Sequence, residues 1–476
     1  MITFFLSLVI LVAGYVFYGK FVEGVLGVDP SAQTPAVASA DGIDYVPMSW
    51  PRIFLIQFLN IAGLGPIYGA IAGALWGPAA FLWIVFGSIF AGAVHDYFSG
   101  MLSIKHNGAS IPELVGIYLG GTAKQIMRVF TVVLLILVGT VFMVGPAELL
   151  AALTPNSLTV TWWLAAIILY YFLATILPVD KIIGRFYPLF GAALLIMAVG
   201  ITGGLVFGGY QIPELALTNL HPKGLPLWPL LFITISCGAI SGFHATQSPL
   251  MARCVQNETQ GRKIFYGSMI AEGMIALIWA AAAMTFFNGT EGLQTALANG
   301  GPGAVVHIIS TTLLGKVGGL LAVLGVIACP ITSGDTAFRS ARLAIADAFK
   351  FEQKPIIKRL ALALPLIAVG FLISQVDFSI IWRYFAWSNQ TLAMMMLWTA
   401  SAYLAQEGKL HWITTIPATF MSAVTVTYIL QAPEGFHLAT SISYPLGFGV
   451  AAAALGIFLV KFSKKSNTHS KKTIAK

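Results

Sequence analysis

The chain has 476 residues, 58% hydrophobic and only 9% charged, with a mean hydropathy of +0.85. That balance excludes a soluble globular protein and sets the class as a polytopic membrane protein. The net charge of +8 does not call for nucleic acid, because basic loops on one side of a membrane account for it.

A membrane-crossing helix needs about 20 apolar residues, and about thirteen such windows follow one another along the chain. They run over 3–20, 52–76, 79–103, 125–150, 159–178, 187–208, 228–250, 264–287, 317–347, 357–376, 380–405, 412–431 and 443–462. The first window lacks a basic leader and a small-residue cleavage site, so it reads as a retained span. The second carries Gly63-Leu64-Gly65-Pro66 at its centre. Proline removes a backbone donor and glycine loosens a helix. Broken backbone at membrane depth is tolerated only inside protein or along a cavity. Between the third and fourth windows lies "ASIPELVGIYLGG" (109–121), too short to cross and suited to a surface or re-entrant helix.

The seventh window repeats the interruption in "SCGAISGFHATQSP", with Gly238, Ser241 and Gly242 near its centre and Pro249 after it. A second short insert, "GPGAVVHIISTTLLG" (301–315), falls between the eighth and ninth windows. Spans 2–6 and 7–11 therefore form two sets of five, each opening on a broken helix and each carrying an insert. An odd repeat length inserts the second set upside down. The pattern predicts one all-α transmembrane domain over 1–476. It has a first repeat over 52–208, an inverted second repeat over 228–405 and additional spans over 412–462. Taken singly, either glycine cluster fits close packing of small residues equally well. The matched pair favours a transporter with its site at the midplane.

Placing the 104–124 loop in the cytoplasm puts every Lys and Arg except Lys223, Lys316 and Arg383 on that side. This is the positive-inside pattern. The clusters are Arg253/Arg262/Lys263, Lys354/Lys358/Arg359 and the tail "KFSKKSNTHSKK". The N-terminus is then outside and the C-terminus cytoplasmic. The acidic 21–51 loop, with Glu23, Asp29, Asp41 and Asp44, shares the cytoplasmic side. Cys237, Cys254 and Cys329 give no disulfide framework and no metal-ligand spacing, and read as small packing residues. No phosphate-binding loop, zinc-protease helix or Gly-x-Ser-x-Gly elbow is present, so an ion gradient or a partner drives the protein, or it is passive.

Six segments run through both repeats: "DGIDYVP" (41–47), "IAGLGPIYG" (61–69), "WIVFGSIFAGAVHDY" (83–97), "CGAISGFHATQSPLMARC" (237–254), "YGSMIAEG" (266–273) and "SGDTAFRSARL" (333–343). In these the chain resembles the carbon starvation protein A family. The resemblance implies a bacterial inner-membrane secondary transporter with a leucine-transporter-type core, taking peptides or, for several members, pyruvate with protons. The chain departs from the family in carrying Ile56-Gln57 where longer members often have paired histidines. It also ends soon after the thirteenth window.

Ionisable groups inside spans mark pathways or relays by default. Asp96 beside His95, Glu272, Asp335 one turn from Arg339, and His244 just after the second break qualify. Asp335 and Arg339 could simply neutralise each other, and His95–Asp96 could be a buried structural pair. The expected substrate site comprises Gly63, Gly65 and Pro66 at the first break. Ser241, Gly242, His244 and Gln247 join it at the second, with Asn389 and Gln390 of span 11. Of these, Gly65, Ser241, Gly242, His244 and Gln247 are expected to border an open midplane cavity. The expected coupling residues are Asp96, Thr332, Ser333 and Asp335. In the fold the chain resembles, the span-9 hydroxyl pair serves a sodium site, so a Na⁺ near Thr332 and Ser333 is the alternative to protons. Oxygen ligands suit a hard cation, and equally such hydroxyls satisfy themselves on their own helix. No resident cofactor is expected. Trp76, Trp228 and Trp382 read as an aromatic belt at span ends.

A channel needs a continuous polar stripe, which is absent. An enzyme needs a nucleophile with a matched base, and nothing orients His244 beside Ser241. The reading is therefore a secondary transporter of a small carboxylate such as pyruvate, or of short peptides. Protons drive it in preference to sodium, through alternating access in a lipid bilayer.

Overall fold

A computed structural model describes residues 1–42, 44–176, 187–353 and 355–473. The end of the 159–178 window, Lys354 and the tail side chains beyond Phe462 lie outside the described residues. Among those residues the regular elements are all helices, apart from one β-bridge between Met48 and Val255. Lipid cannot hydrogen-bond to backbone, which is why helices carry the chain across.

Helix α1 spans Ile2–Leu26. The second window divides into α2 (Trp50–Ile61) and α3 (Leu64–Trp76), bent 47° at their junction. Gly63 leaves helical geometry there, with φ −70° and ψ −134°. Pro66 does not break the helix. It sits in the first turn of α3, where its missing N–H has no intrahelical partner to lose. The break is therefore at Ala62–Gly63, slightly earlier than the sequence suggests. Helix α4 (Ala79–Lys105) follows, then α5 (Ile111–Leu119), α6 (Gly121–Leu153), α7 (Val160–Ile176) and α8 (Tyr187–Phe207).

The seventh window holds only α9 (Leu230–Thr234) and α10 (Gly242–Ala252). The seven residues between them are non-helical, and Gly238 among them has φ +87°. Helix α11 (Glu258–Phe286) leads into the helical run Thr290–Phe349. That run leaves helical geometry at Gly301 (φ 67°) and Gly315 (φ 58°), giving α12 (290–300), α13 (302–314) and α14 (316–349). Thus α5 and α13, the two predicted inserts, are each a short helix followed by a left-handed glycine and a long span. Gly120 (φ 109°) plays this part after α5. The chain finishes with α15 (Ile356–Ile373), α16 (Phe378–Gln406), α17 (Trp412–Gln431) and α18 (Thr440–Thr473).

Among the described residues nine helices are long and apolar enough to cross a membrane, ten counting α2–α3 as one. The remaining windows fall short for physical reasons. Helix α7 has only 17 described residues, α9–α10 is too interrupted, and α16 carries Asn389 and Gln390 in its middle. Burial sorts the helices into layers. The apolar windows of α4 and α11 are 83% buried, whereas those of α1, α15 and α18 are 28%, 22% and 22% buried and form the lipid-facing rim. The acidic 21–51 stretch lies against the 253–262 segment. Glu23 pairs with Arg262 at 2.9 Å, Asp29 N–H donates to Glu258, and Arg253 lies over the Tyr45 ring.

Candidate functional site

The third residue of α10 is His244, immediately after the second break. Its Nδ1 is 2.9 Å from Asp96 Oδ2 on α4, and its Nε2 is 3.3 Å from Glu272 Oε2 on α11. Asp96 Oδ1 lies 2.8 Å from His95 Nδ1. All four side chains are fully buried. Two carboxylates and two imidazoles thus form one chain through three helices, in the setting where unpaired charge costs most. A neutral imidazole has one N–H and serves one carboxylate, whereas an imidazolium donates to both.

The same groups repair the broken backbone. Gly238 N–H donates to Glu272 Oε1 at 3.1 Å, and Ser88 Oγ on α4 donates to Gly238 O at 2.9 Å. Asn389 on α16 accepts the Phe243 N–H at 2.6 Å and so caps α10. Gln390 Nε2 donates to Phe232 O on α9. Both α16 amides therefore brace the broken span. Gly242 is pressed against α16, where an added Cβ would stand 2.3 Å from Asn389 O.

The two breaks touch each other. A Cβ on Gly65 would lie 2.3 Å from Cys237 Cβ, and one on Gly238 would lie 3.4 Å from Pro66 Cα. The start of α3 thus abuts the unwound segment, so its open N–H groups and the segment's carbonyls share one place. Gly63, by contrast, makes only ordinary contact with Phe142. Gly65, Ser241, Gly242, His244 and Gln247 are all buried, so the centre is closed where an open cavity was expected. A cavity of about 300 Å³ lies beyond α10 toward the basic end, lined by Thr246, Pro249, Arg128, Glu113, Arg253 and Asp347 among others.

Donor atoms of Cys237, His244 and Glu272 lie within 4.8 Å of one another. The thiol is already occupied, donating to Ser241 Oγ and accepting from Asn389 Nδ2, each at 3.4 Å. His244 Nε2 and Glu272 Oε2 face each other at 3.3 Å beside this engaged thiol.

The span-9 candidates stand apart on α14. Thr332 and Ser333 donate to Cys329 O of their own helix at 2.7 and 3.2 Å. Cys329 Sγ donates to Leu59 O at 3.2 Å, tying α14 to the end of α2. Asp335 pairs with Arg339 at 3.1 Å and borders a separate cavity of about 380 Å³ with Tyr171, Arg342 and Arg359. The belt reading of Trp76 and Trp382 is corrected, because both are buried. Trp76 Nε1 donates to Leu225 O, and Trp382 packs at tilted ring angles against Tyr68, Phe378 and Phe385.

Sequence reasoning noted Glu272 without giving it a role and took Cys237 for packing. A lone acid inside an apolar window was the available signal for Glu272. Nothing local connects it to Gly238, 34 residues away.

Two broken spans meeting at a buried polar centre, inside an all-helical membrane bundle, give the chain a leucine-transporter-type fold. Solved structures share the fold. They include the nucleobase-cation-symport-1 family transporter Mhp1 in a closed conformation, with TM-score 0.52, 13% identity and coverage of 89% of this chain and 96% of that one. A manganese transporter of Eremococcus coleocola matches at TM-score 0.50 and 12% identity, over 92% and 98%. The chain belongs to the carbon starvation protein CstA family, whose sequence profile matches residues 1–162, 147–298 and 283–428. Among its relatives, an uncharacterized membrane protein of Haemophilus influenzae is 47% identical over 63% of this chain and 95% of its own length. The peptide transporter CstA of Campylobacter jejuni is 27% identical over 97% and 84%. The pyruvate/proton symporter BtsT of Escherichia coli is 29% identical over 58% of this chain and 48% of its own length.

Proposed function

We propose that the protein takes up a small carboxylate such as pyruvate, or short peptides, across the bacterial inner membrane, driven by protons through alternating access. The observation that carries the coupling is the buried His95–Asp96–His244–Glu272 chain. When His244 holds two protons it ties α10 to both α4 and α11. When it gives one up, one carboxylate loses its donor and the broken span is released on that side. Gly238, whose N–H is held by Glu272, belongs to the unwound segment against which a substrate would sit. Proton transfer and substrate contact are thereby linked through one residue. The relatives named as a pyruvate/proton symporter and as peptide transporters support this substrate range.

Asp96 takes precedence over Asp335 as the coupling acid, because Asp335 is paired with Arg339 away from the breaks. Sodium coupling through Thr332 and Ser333 is the alternative: their hydroxyls donate to Cys329 O and keep lone pairs for a cation, so the preference for protons rests on the buried chain and on the relative named a pyruvate/proton symporter. The test is transport in proteoliposomes by Asp96→Asn and His244→Gln. Both variants should lose accumulation driven by a pH gradient while keeping part of their substrate exchange. Accumulation by both at the wild-type level would exclude this chain from coupling.

A further inference from the structure

We propose that the cavity between α7, α14 and α15 binds a phosphate oxyanion, supplied by the headgroup of an anionic phospholipid. This goes beyond the transport reading and does not depend on it. The three helices pack on one another pairwise and enclose a space of about 380 Å³. Each lines it with one stripe at helical spacing. Helix α15 contributes Arg359, Ala363 and Ile367. Helix α14 contributes Asp335, Phe338, Arg339 and Arg342, and α7 contributes Tyr171, Ala174 and Thr175. Three guanidiniums from two helices therefore face one space.

Guanidiniums are rarely placed inside a membrane bundle without an anion to meet them. Arg342 is 8% exposed, and Arg359 Nε is buried with no hydrogen-bond partner. The one acid among the described residues on the cavity wall is Asp335, which pairs with Arg339. The stretch 177–186, outside the described residues, contains a single acid, Asp180, beside Lys181 and Arg185. Even with Asp180 counted against them, the three arginines outnumber the carboxylates. A guanidinium has five N–H donors in a planar fork, so an arginine already paired with a carboxylate is not exhausted by it, and the fork matches phosphate oxygens.

The shape of the cavity selects the carrier of the phosphate. Arg359 lies within the first four residues of α15, and Arg342 lies two turns before α14 ends at Phe349. The basic mouth is therefore at the helix ends, where headgroups lie. From there Ala363 and Ile367 continue the wall inward for roughly 12 Å at 1.5 Å per residue, joined by Phe338 of α14. Helix α15 belongs to the rim, with Leu364 and Leu372 46% and 67% exposed. A charged mouth above an apolar wall, beside a lipid-facing helix, suits an amphiphile. A free anion has no use for the apolar wall.

The experiment is native mass spectrometry and thermal unfolding of the full chain in detergent, with phosphatidylglycerol, phosphatidylcholine or inorganic phosphate added. Variants Arg359→Gln and Ala363→Leu are compared with Lys358→Gln, whose lysine pairs with Glu352 and does not line the cavity. Phosphatidylglycerol should bind about tenfold more tightly than phosphatidylcholine, whose choline opposes the arginines. Arg359→Gln should weaken phosphatidylglycerol about tenfold, the value of one hydrogen bond between charged partners. Ala363→Leu, which fills the cavity without removing a charge, should also lower its retention, and Lys358→Gln should bind as the wild type does. Should Arg359→Gln misfold, Ala363→Leu decides. Stabilisation by inorganic phosphate equal to that by phosphatidylglycerol would make the occupant a free anion and overturn the lipid assignment. Equal retention of the two lipids, or phosphatidylglycerol binding untouched by Arg359→Gln and Ala363→Leu, would overturn the site itself.

Discussion

At the scale of single residues, the protein solves a backbone problem with side chains. Breaking a helix at membrane depth strands donors and acceptors that lipid cannot satisfy, and Glu272, Ser88 and Asn389 take them up. The tightest point is Gly65. Gly65→Ala would drive a methyl group to 2.3 Å from Cys237 Cβ, an overpacking that typically costs about 1–3 kcal/mol. Lowered thermal stability and lost uptake are expected, with substantial recovery in Gly65→Ala/Cys237→Gly. If the single variant is normal in both assays, the close crossing of the breaks has no functional weight. Sequence alone made Asp96 and His244 visible as costly intramembrane groups. It could not reveal that they touch across 148 residues, because contact depends on how α4 and α10 rotate about their axes. Thr332 and Ser333 show the converse: their spacing suits a cation and self-bonding alike, and the sequence does not choose between them.

Among the elements, helices α5 and α13 occupy matching places, each leading through a left-handed glycine into a long span. Gly315→Val should cost roughly 1–2 kcal/mol, because a branched side chain opposes φ 58° there. Thermal unfolding reads this directly, and an unchanged midpoint would contradict it. Helix α5 is also pinned by charge. Burial works to raise the Glu113 carboxyl, but Lys124 and Arg128 outweigh it and hold the group below its ordinary 4.5. A carboxylate lowered in the folded state stabilises in full above its unfolded value, and that contribution fades as pH falls through the folded value. Hydrogen exchange on α5, corrected for intrinsic rate, should therefore be flat near neutral pH and accelerate as pH falls below the ordinary carboxylate range. Glu113→Gln should raise exchange at neutral pH and remove the step. The inserts and both breaks were legible from glycine and length. The break at Ala62–Gly63 was misplaced by a few residues because proline is harmless in a first turn.

On the scale of the whole molecule, a lipid-facing rim of α1, α15 and α18 encloses a buried core built on the two broken spans. The polar centre where the two breaks meet is closed off inside that core. Composition and repeat spacing were enough to read this architecture. Substrate and driving ion were not legible, because they depend on a few buried groups brought together from distant windows. The most direct test of the proposed coupling is simultaneous measurement of lumenal pH and labelled substrate in sodium-free proteoliposomes. With an inwardly directed substrate gradient, the wild-type protein should acidify the lumen in step with uptake, and Asp96→Asn should move substrate without protons. Uptake that requires sodium, leaves lumenal pH unchanged and is untouched by Asp96→Asn would contradict the account.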